Sequence, residues 1–366
     1  MTQYVPDLSA GAPPTLNRYE VIRSLGRGAQ GSVQLCRDRL LGCMVARKVL
    51  HGDREENHLA LFRREFEVLA DLSHDRLVRV HDFGRTADGR TCFTRDFVDG
   101  DDLLSATAGT DPQTLLAICV ETCRALRPLH RAGLLHGDIK PTNLMVEGGP
   151  SPRVRAIDFS FTHLAAGATP PRGTVPYMPP ELLAGDSVDH RSDLYSLGIS
   201  FHEILTGARP FDGTIDDIIA AHLADARPRL HATRFNARSD EERGILRGLE
   251  DITHRLMARR PDDRFPDLDE LEAALTGLAP SKVPADDNSR VPSMNLLGDR
   301  QDIVSRISGA VRTRLDGQQG DGLLVLQGEA AAVAVRWPGP SNGRPSCAMP
   351  TRRGFHLRAR PDPCNS

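Results

Sequence analysis

The hydrophobic pattern of the chain changes its period near Gly100, and this change constrains the fold more than any other feature. Across residues 19–98, short apolar runs alternate with polar residues and turn signals, which is typical of β-strands, and one helical pattern interrupts them at residues 57–72. Further along, the spacing of apolar residues is helical in five segments: 112–130, 191–206, 214–223, 240–258 and 267–276. This order predicts an α+β fold with two lobes and a ligand site in the cleft between them.

The same pattern divides the first three quarters of the chain. Residues 1–18 are rich in Pro, Gly and Ser, and we expect them to be disordered. A small strand-rich N-lobe is predicted at 19–98 and a larger helical C-lobe at 99–277, so that one domain covers residues 19–277.

A glycine cluster, LGRGAQGSV, joins the first two predicted strands. Gly26, Gly28 and Gly31 have the G-x-G-x-x-G spacing, which opens a helix in dinucleotide-binding folds. Here the third glycine opens a strand, because Val33 and Leu35 alternate with polar neighbours. Such a hairpin lets backbone N–H groups approach phosphate oxygens, since glycine has no Cβ; an ordinary surface loop is the alternative.

Lysine is rare in this chain: of the 46 Lys and Arg residues, only Lys48, Lys140 and Lys282 are lysines. Lys48 lies in the apolar strand MVARKVL, where a charge is costly unless it is paired. The helix at 57–72 offers Glu65 as the partner, whereas Glu67 points to another side of that helix. We therefore predict that Lys48, positioned by Glu65, binds the α- and β-phosphates of a nucleotide; a solvent-facing lysine on an edge strand is the alternative.

The segments HGDIKPTN and AIDFS carry the groups that phosphoryl transfer needs. Asp138 can accept the proton of an attacking hydroxyl, and Lys140 can neutralise charge on the moving phosphoryl group. Asn143 and Asp158 offer oxygen ligands to Mg²⁺, a hard cation that prefers oxygen. Each piece alone has a structural interpretation, with His136 as a core histidine and Asp158 as a turn residue. The ordered set predicts a phosphotransfer site for ATP and Mg²⁺.

Taken together, these motifs resemble a eukaryotic-type Ser/Thr protein kinase domain, of the kind also found in bacteria. The resemblance covers residues 19–277 and rests on GRGAQGSV, VARK, FRRE, HGDIKPTN, IDFS, GTVPYMPPE, SDLYSLG and RRPDDRF, in this order. It implies the two-lobed protein kinase fold and transfer of the γ-phosphoryl group of Mg-ATP to Ser or Thr hydroxyls of proteins, with autophosphorylation as a further expectation. The forms D-x-K-P-x-N and G-T-x-x-Y-x-x-P-E are similar to Ser/Thr rather than Tyr kinases.

The resemblance also implies roles outside the phosphate site. Val33, Ala46 and Met145 would enclose adenine, and the backbone of Asp96 and Val98 would bond its edge. The remaining implied roles concern the ribose, the catalytic loop and packing between the lobes: Asp102 for the ribose, Thr174 to steady Asp138 and Lys140, Glu181 with Arg264 as a buried ion pair, Asp193 to hold the catalytic loop, and Leu69, Val80, His136 and Phe159 as an apolar column.

Three positions depart from the family pattern. Gly137 replaces an arginine that normally receives a phosphorylated activation loop, so activation by loop phosphorylation is not expected. Ser160 replaces the glycine of the Asp-Phe-Gly motif and resists backbone angles that glycine tolerates, which predicts restricted flipping of the motif's aspartate. Arg95 stands at the gatekeeper position behind adenine, where we expect it to crowd the back pocket or to compete with Lys48 for Glu65.

The sequence changes character after residue 277. Residues 278–295 are expected to be a linker, and a short helix–strand segment at 296–329 is similar to the start of P-loop signalling ATPases. No lysine follows Gly328, so the Walker feature is absent and no second nucleotide site is predicted. Residues 330–366 are rich in Pro and Arg, and we expect no packed fold there. A shifted reading frame or truncation remnant and a disordered extension are the two interpretations of this tail.

Composition excludes several other classes of protein. The net charge of −3 argues against nucleic-acid binding, and the late apolar stretch LLVLQGEAAAVAV is too short and too polar to cross a membrane. The seven cysteines show no paired spacing and no signal peptide is apparent, so we expect a cytoplasmic protein. A pseudokinase that acts as an ATP-binding scaffold is the main alternative, and a small-molecule phosphotransferase is disfavoured by GTVPYMPPE and RRPDDRF. No oligomeric state is predicted.

Overall fold

The chain forms two compact units, Met1–Asn295 and Leu296–Ser366. A computed structural model describes the residues in the following ranges: 16–28, 31–51, 56–149, 151–159, 163–164, 173–224, 230, 234–283, 293–294, 322–328, 331–337 and 347–348.

The N-lobe is a five-stranded antiparallel sheet with one helix packed on it, in the strand order β1-β2-β3-β6-β5. Ring contacts between Phe62 of the helix and Phe93 of the sheet, at 4.9 Å, and between Phe66 and Phe83, at 5.4 Å, hold the two together. The elements are β1 (Tyr19–Arg27), β2 (Gly31–Asp38), β3 (Met44–Leu50), α1 (Glu56–Asp71), β4 (Leu72–Ser73), β5 (Val80–Arg85) and β6 (Thr91–Asp96).

The C-lobe is mainly helical and also contains one three-stranded sheet and one two-stranded sheet. Its strands are β7 (Gly100–Asp102), β8 (Leu134–Leu135), β9 (Leu144–Glu147), β10 (Arg153–Ala156) and β11 (His163–Leu164). Its helices are α2 (Leu103–Ala106), α3 (Pro112–Arg131), α4 (Pro180–Ala184), α5 (His190–Thr206), α6 (Ile215–Leu223), α7 (Asp240–Leu256) and α8 (Leu268–Leu278). The expected two-lobed α+β fold is therefore confirmed, and the five helices predicted after Gly100 are observed with ends shifted by no more than about two residues.

Local sequence explains where the C-lobe helices begin and end. Asp111 accepts hydrogen bonds from the backbone at the start of α3, and Ser239 does so for α7. Thr214 and Asp217 form a reciprocal capping box at the start of α6. Gly207 ends α5 in the left-handed conformation, with φ of 81°, which glycine adopts without strain.

A buried ion pair joins α4 to the segment before α8. Arg264 donates to the two carboxylate oxygens of Glu181, at 2.7 and 2.8 Å, and its side chain has no exposed surface. Further bonds reach the backbone carbonyls of Ala258, Arg191 and Arg259. The Glu181–Arg264 pair implied by the family resemblance is thus present, and it fixes the end of the segment that follows residue 173.

The described part of the N-terminal segment begins earlier than predicted. Residues 16–18 are ordered, whereas disorder was expected through residue 18. Leu16 donates its N–H to the Arg85 carbonyl at 2.7 Å, and Arg18 pairs with the buried carboxylate of Asp38 at 2.9 Å. An acidic side chain buried in the sheet requires a cationic partner, which explains the added order. Residues 1–15 lie outside the described ranges.

The expected linker also carries structure at two places. Helix α8 continues to Leu278, and β12 (Ser293–Met294) pairs antiparallel with β4. A turn-rich composition does not prevent such a short segment from pairing with the open edge of a strand.

The second unit contains a three-stranded antiparallel sheet, formed by β13 (Gly322–Gly328), β14 (Ala331–Trp337) and β15 (Cys347–Ala348) in that order. The strand predicted in GLLVLQGEA is observed, and two further strands lie at 331–337 and 347–348, in the segment where no packed fold was expected. Val333, Val335 and Trp337 alternate at the strand period, and two residues separate β13 from β14, the spacing of a tight hairpin. The helix predicted before β13, in the segment 296–329, lies outside the described residues.

Candidate functional site

Lys48 and Glu65 meet because the sheet register and the helix period direct both inward. Lys48 in β3 pairs across the ladder with Phe93, which contacts α1, so Lys48 faces that helix. Glu65 lies three residues after Phe62, on the same side of α1. The Lys48 Nζ atom is 2.7 and 2.9 Å from the two carboxylate oxygens of Glu65, and both side chains are buried.

The charge on Lys48 is maintained by its acidic neighbours. Burial alone lowers the pKa of Lys48, but the carboxylates of Asp158 and Glu65 outweigh burial, and the pKa is raised overall. The Asp158 Oδ1 atom is 3.1 Å from Lys48 Nζ, and one third of the Asp158 side chain is exposed. The Lys48 ammonium group is therefore held between the buried carboxylate of Glu65 and the partly exposed carboxylate of Asp158.

Asp138 is the centre of a hydrogen-bond network in the loop between β8 and β9. Lys140 Nζ donates to Asp138 Oδ2 at 2.6 Å and to Thr174 Oγ1 at 2.6 Å. The Thr174 backbone N–H donates to Asp138 Oδ1 at 2.8 Å. Asn143 donates its amide to the Asp138 carbonyl at 2.8 Å and to Oδ2 at 3.1 Å. The residue expected to steady Asp138 and Lys140, Thr174, thus contacts both.

Asp193 in α5 holds this loop from below. It accepts bonds from the backbone N–H groups of His136, at 2.8 Å, and Gly137, at 3.0 Å, and it contacts His130 Nε2 at 2.9 Å. Burial raises the pKa of Asp193, but the bonds from His130 and the backbone lower it by a larger amount, so that the net shift of the pKa is downward. The loop therefore rests on a charged carboxylate, as the resemblance implied.

Two glycines let the segment that carries Thr174 approach the loop. Gly137 has φ of 75° and Gly173 has φ of 126°, conformations that other residues adopt only with strain. A Cβ on Gly173 would lie 3.0 Å from the Gly137 carbonyl oxygen. The absence of a side chain at Gly173 allows its segment to approach closely enough for the Thr174 backbone to contact Asp138.

The oxygen groups near Asp138 fit a divalent magnesium ion. Asn143 directs its amide nitrogen at Asp138, which leaves its amide oxygen as a ligand. The backbone N–H of Ile157 donates to the Asn143 carbonyl at 3.0 Å and so brings Asp158 beside Asn143. No group of three or more His, Cys, Asp or Glu side chains suited to a metal occurs in the described ranges. Two oxygen ligands, supplemented by phosphate oxygens and water, match the way Mg²⁺ is bound in nucleotide sites.

The described glycines of the cluster lie where β1 ends and β2 begins. Gly28 donates to the Gly31 carbonyl at 2.8 Å, and a Cβ on Gly31 would lie 2.4 Å from the Val49 carbonyl oxygen. A Cβ on Gly26 would meet no atom within 4 Å. Gly31 is therefore required by the sheet, whereas Gly26 and Gly28 border open space that a phosphate group could use.

The residues expected around adenine come from both lobes. Val33 pairs with Lys48, Ala46 pairs with Arg95, and Met145 pairs with Asp102. These pairings place Val33 and Ala46 in the sheet beside Lys48. Met145 lies in the strand that follows Asn143, so it is adjacent to the predicted metal ligands.

The remaining predicted nucleotide contacts have partners within the protein. The Asp96 N–H donates to the Arg79 carbonyl at 2.8 Å, so an adenine bond from the Asp96 backbone would have to use its carbonyl oxygen. Val98 is buried. Asp102 caps α2, accepting from Leu104 and Ser105 at 3.0 Å. A capping carboxylate retains lone pairs, so the predicted ribose contact stays compatible with this role.

Arg95 has a contact that the sequence did not indicate. Lys48 keeps both oxygens of Glu65, and the Arg95 Nη1 atom donates instead to the backbone carbonyl of Ile157. The Arg95 guanidinium is long enough to reach the segment before Asp158, and its interaction with Glu65 is electrostatic only. Ser160, the other departure near this segment, lies outside the described residues.

Arg155 is a further residue that sequence reasoning missed. It donates to the Leu77 carbonyl at 2.9 Å and to Asp96 at 2.8 Å. Burial raises the pKa of Asp96, but bonds from His81 and Arg155 outweigh burial and lower it overall. Arg155 thus links β10 to the strand that leads out of the N-lobe. It belongs to no motif, and an arginine in a strand is too common to be a signal.

The predicted apolar column is buried throughout: Leu69, Val80, His136 and Phe159 are each at most 1% exposed. The rings of His136 and Phe159 are 5.2 Å apart, and burial lowers the pKa of His136. Phe159 therefore packs against the loop that carries Asp138, which keeps the adjacent Asp158 at the cleft.

Comparisons with known proteins agree with this geometry. The family model of the protein kinase domain matches residues 19–273. The serine/threonine-protein kinase PknB of Mycobacterium leprae is 31% identical over 336 residues, which cover 85% of this chain and 52% of PknB. The serine/threonine-protein kinase pkn2 of Myxococcus xanthus is 31% identical over 77% of this chain and 37% of its own length. PknJ of Mycobacterium bovis is 34% identical over 71% of this chain and 44% of its own length. The chain thus spans about half the length, or less, of these relatives.

Proposed function

Because the chain belongs to the protein kinase family, we propose that it transfers the γ-phosphoryl group of Mg-ATP to serine or threonine hydroxyls of protein substrates. The observation that supports this most is the convergence of five groups from separate parts of the sequence. Lys48, Glu65 and Asp158 form one connected set, and Asp138 and Asn143 form the other. The bond between the backbones of Asn143 and Ile157 joins the two sets at 3.0 Å.

Each group has a role that its position supports. Asp138, oriented by four hydrogen bonds, would accept the proton of the substrate hydroxyl. Lys140 would stabilise the negative charge that develops next to Asp138, and Lys48 would bind the non-transferred phosphates. Asn143 and Asp158 would hold Mg²⁺, which supplies charge neutralisation on the phosphates when it is bound.

A platform for a protein substrate is supported by the residues after Thr174. Tyr177 donates its hydroxyl to Glu203 at 2.5 Å, and Ser196 donates to the Tyr177 carbonyl at 2.7 Å. These bonds fix the segment to α5, beside the loop that carries Asp138. A segment held rigidly beside the proposed base favours an extended peptide over a small molecule as the acceptor.

One assay tests the proposal directly. The purified chain is incubated with labelled ATP, Mg²⁺ and a generic acceptor protein, beside the variant Asp138→Asn. We expect label on serine and threonine with the wild-type chain and near-background signal with the variant. Equal signals would indicate a contaminating kinase. Retained nucleotide binding without transfer would replace the proposal with a nucleotide-binding scaffold.

We place this activity in the cytoplasm, where ATP and protein acceptors are available. In the described part of the chain, Cys36, Cys43, Cys92, Cys119 and Cys123 are free cysteines. Within the same residues, no helix has the length and apolarity that a membrane crossing requires.

A further inference from the structure

The sheet register places Arg95 on the inner face of the N-lobe, among the groups of the proposed site. Arg95 pairs with Ala46 across β3, two residues from the Lys48–Phe93 pair, so its side chain shares a face with Lys48. Its exposure is only 6%. A long cationic side chain therefore enters the interior at the back of the cleft rather than reaching solvent.

Both backbone hydrogen-bonding groups of Ile157 are engaged, and Arg95 engages one of them. The Ile157 carbonyl accepts from Arg95 Nη1, and the Ile157 N–H donates to the Asn143 carbonyl at 3.0 Å. Because Ile157 immediately precedes Asp158, these bonds restrict the peptide unit that orients the Asp158 side chain. The bond from Arg95 connects this peptide unit to the N-lobe sheet, and the bond to Asn143 connects it to the loop of Asp138.

Packing and stability do not account for an arginine at this position. Arg95 Nε is buried and has no hydrogen-bond partner among the residues that the structure describes. Burial lowers the pKa of Arg95, although the nearby carboxylates of Asp158 and Glu65 oppose that shift. A buried guanidinium with an unpaired donor costs free energy, so a neutral side chain of similar size would serve the fold at least as well.

We propose that Arg95 is a positioning residue, whose bond to the Ile157 carbonyl holds Asp158 in the orientation that binds Mg²⁺. The proposal rests on the proposed function only in assigning Asp158 as a metal ligand. Its alternative is a purely electrostatic role, in which a second cation near Asp158 repels the metal. The two roles predict opposite results when Arg95 is neutralised.

The test compares Arg95→Met, Arg95→Lys and the control Arg47→Met. Methionine removes the charge and the donor, whereas lysine keeps both. Arg47 is a buried arginine in the neighbouring strand whose guanidinium bonds Gln34, and its position one residue from Lys48 directs it to the opposite face. The first readout is backbone amide exchange of the 153–159 segment in the protein without ligands. The second is the Mg²⁺ concentration that half-saturates binding of a non-hydrolysable ATP analogue.

We expect Arg95→Met to accelerate exchange at the Ile157 amide roughly tenfold and to raise the half-saturating Mg²⁺ concentration by a similar factor, the loss of one charge-assisted hydrogen bond. Its melting temperature should stay at or above that of the wild type. Arg95→Lys should recover most of both effects, and Arg47→Met should change neither.

Unchanged exchange, or tighter Mg²⁺ binding in Arg95→Met, would overturn the proposal. Should Arg95→Met fail to fold, Arg95→Gln provides a second neutral variant with the same expected result. Both readouts remain valid even when the wild-type chain transfers no phosphate, so failure of the proposed function and failure of this inference are distinguishable.

Discussion

Replacing Arg264 with methionine is expected to remove a large part of the stability of the C-lobe. The side chain of Arg264 has no exposed surface and spans α4, the start of α5 and the segment after α7. Removing one partner of a buried ion pair typically costs about 3–5 kcal/mol. Whole domains have unfolding free energies of about 5–15 kcal/mol, so the change should be obvious in any unfolding experiment.

The structure shows why the upper part of that range is expected. Arg264→Met leaves Glu181 buried, with the hydroxyl of Ser192 at 2.6 Å as its remaining partner in the described residues. The carbonyls of Ala258, Arg191 and Arg259 lose a donor at the same time. In a domain of this size each 1 kcal/mol shifts the melting temperature by about 2–4 °C, so a loss of about 4–5 kcal/mol lowers it by roughly 8–20 °C.

A double-mutant cycle separates the ion pair from the other contacts. Urea and thermal unfolding are measured for the wild type, Arg264→Met, Glu181→Met and the double variant. The double variant should cost at least about 1 kcal/mol less than the sum of the two single changes, because it leaves no unpaired buried charge. Asp262→Asn is the control, since the Asp262 side chain is 70% exposed and its pair with Arg191 should contribute less than about 1 kcal/mol. Additive costs, or a loss below about 1 kcal/mol in Arg264→Met, would refute this reasoning.

Three other changes test different parts of the structure. Burial lowers the pKa of His222 from 6.5 to about 4, so between these pH values the unfolded chain binds a proton that the folded chain does not. The free energy of unfolding should therefore fall by on the order of 3 kcal/mol as the pH drops from about 6.5 to about 4. Urea unfolding of His222→Gln, measured over the same pH range, should lack this contribution. Gly31→Ala should lower the melting temperature, because its Cβ would lie 2.4 Å from a backbone oxygen. Gly26→Ala should leave the melting temperature unchanged, because its Cβ would lie in open space. The same Cβ should weaken ATP binding in a titration, because it would occupy the space proposed for a phosphate group. Thr174→Ala should reduce kcat roughly tenfold without changing KM for ATP, with recovery in Thr174→Ser; an unchanged kcat would show that the hydroxyl bond to Lys140 is dispensable.

The Lys48–Glu65 contact could be anticipated from sequence because each residue lies in an element with a regular period. A charge inside an apolar strand demands a partner, and the helical spacing selects Glu65 over Glu67. The strands and helices were predictable for the same reason, since alternation and helical spacing are local properties. The order of the motifs then located Asp138, Asn143 and Asp158 in one cleft.

The partners of Arg95 and Arg155 could not be anticipated, because they depend on how distant segments pack. Both arginines donate to backbone carbonyls, those of Ile157 and Leu77. Every residue has a backbone carbonyl, so the sequence does not indicate which carbonyl is the partner. The strand at 331–337 was missed for another reason: its alanines conceal the alternation of Val333 and Val335, and its partner strand has to be present before the pairing becomes favourable.

The support that Asp193 gives to the catalytic loop passes through main-chain atoms. Because the N–H groups of His136 and Gly137 make the contact, the carboxylate binds the backbone at position 137 and requires no side chain there. Glycine at position 137 therefore removes a side chain without removing the backbone contact that holds the loop.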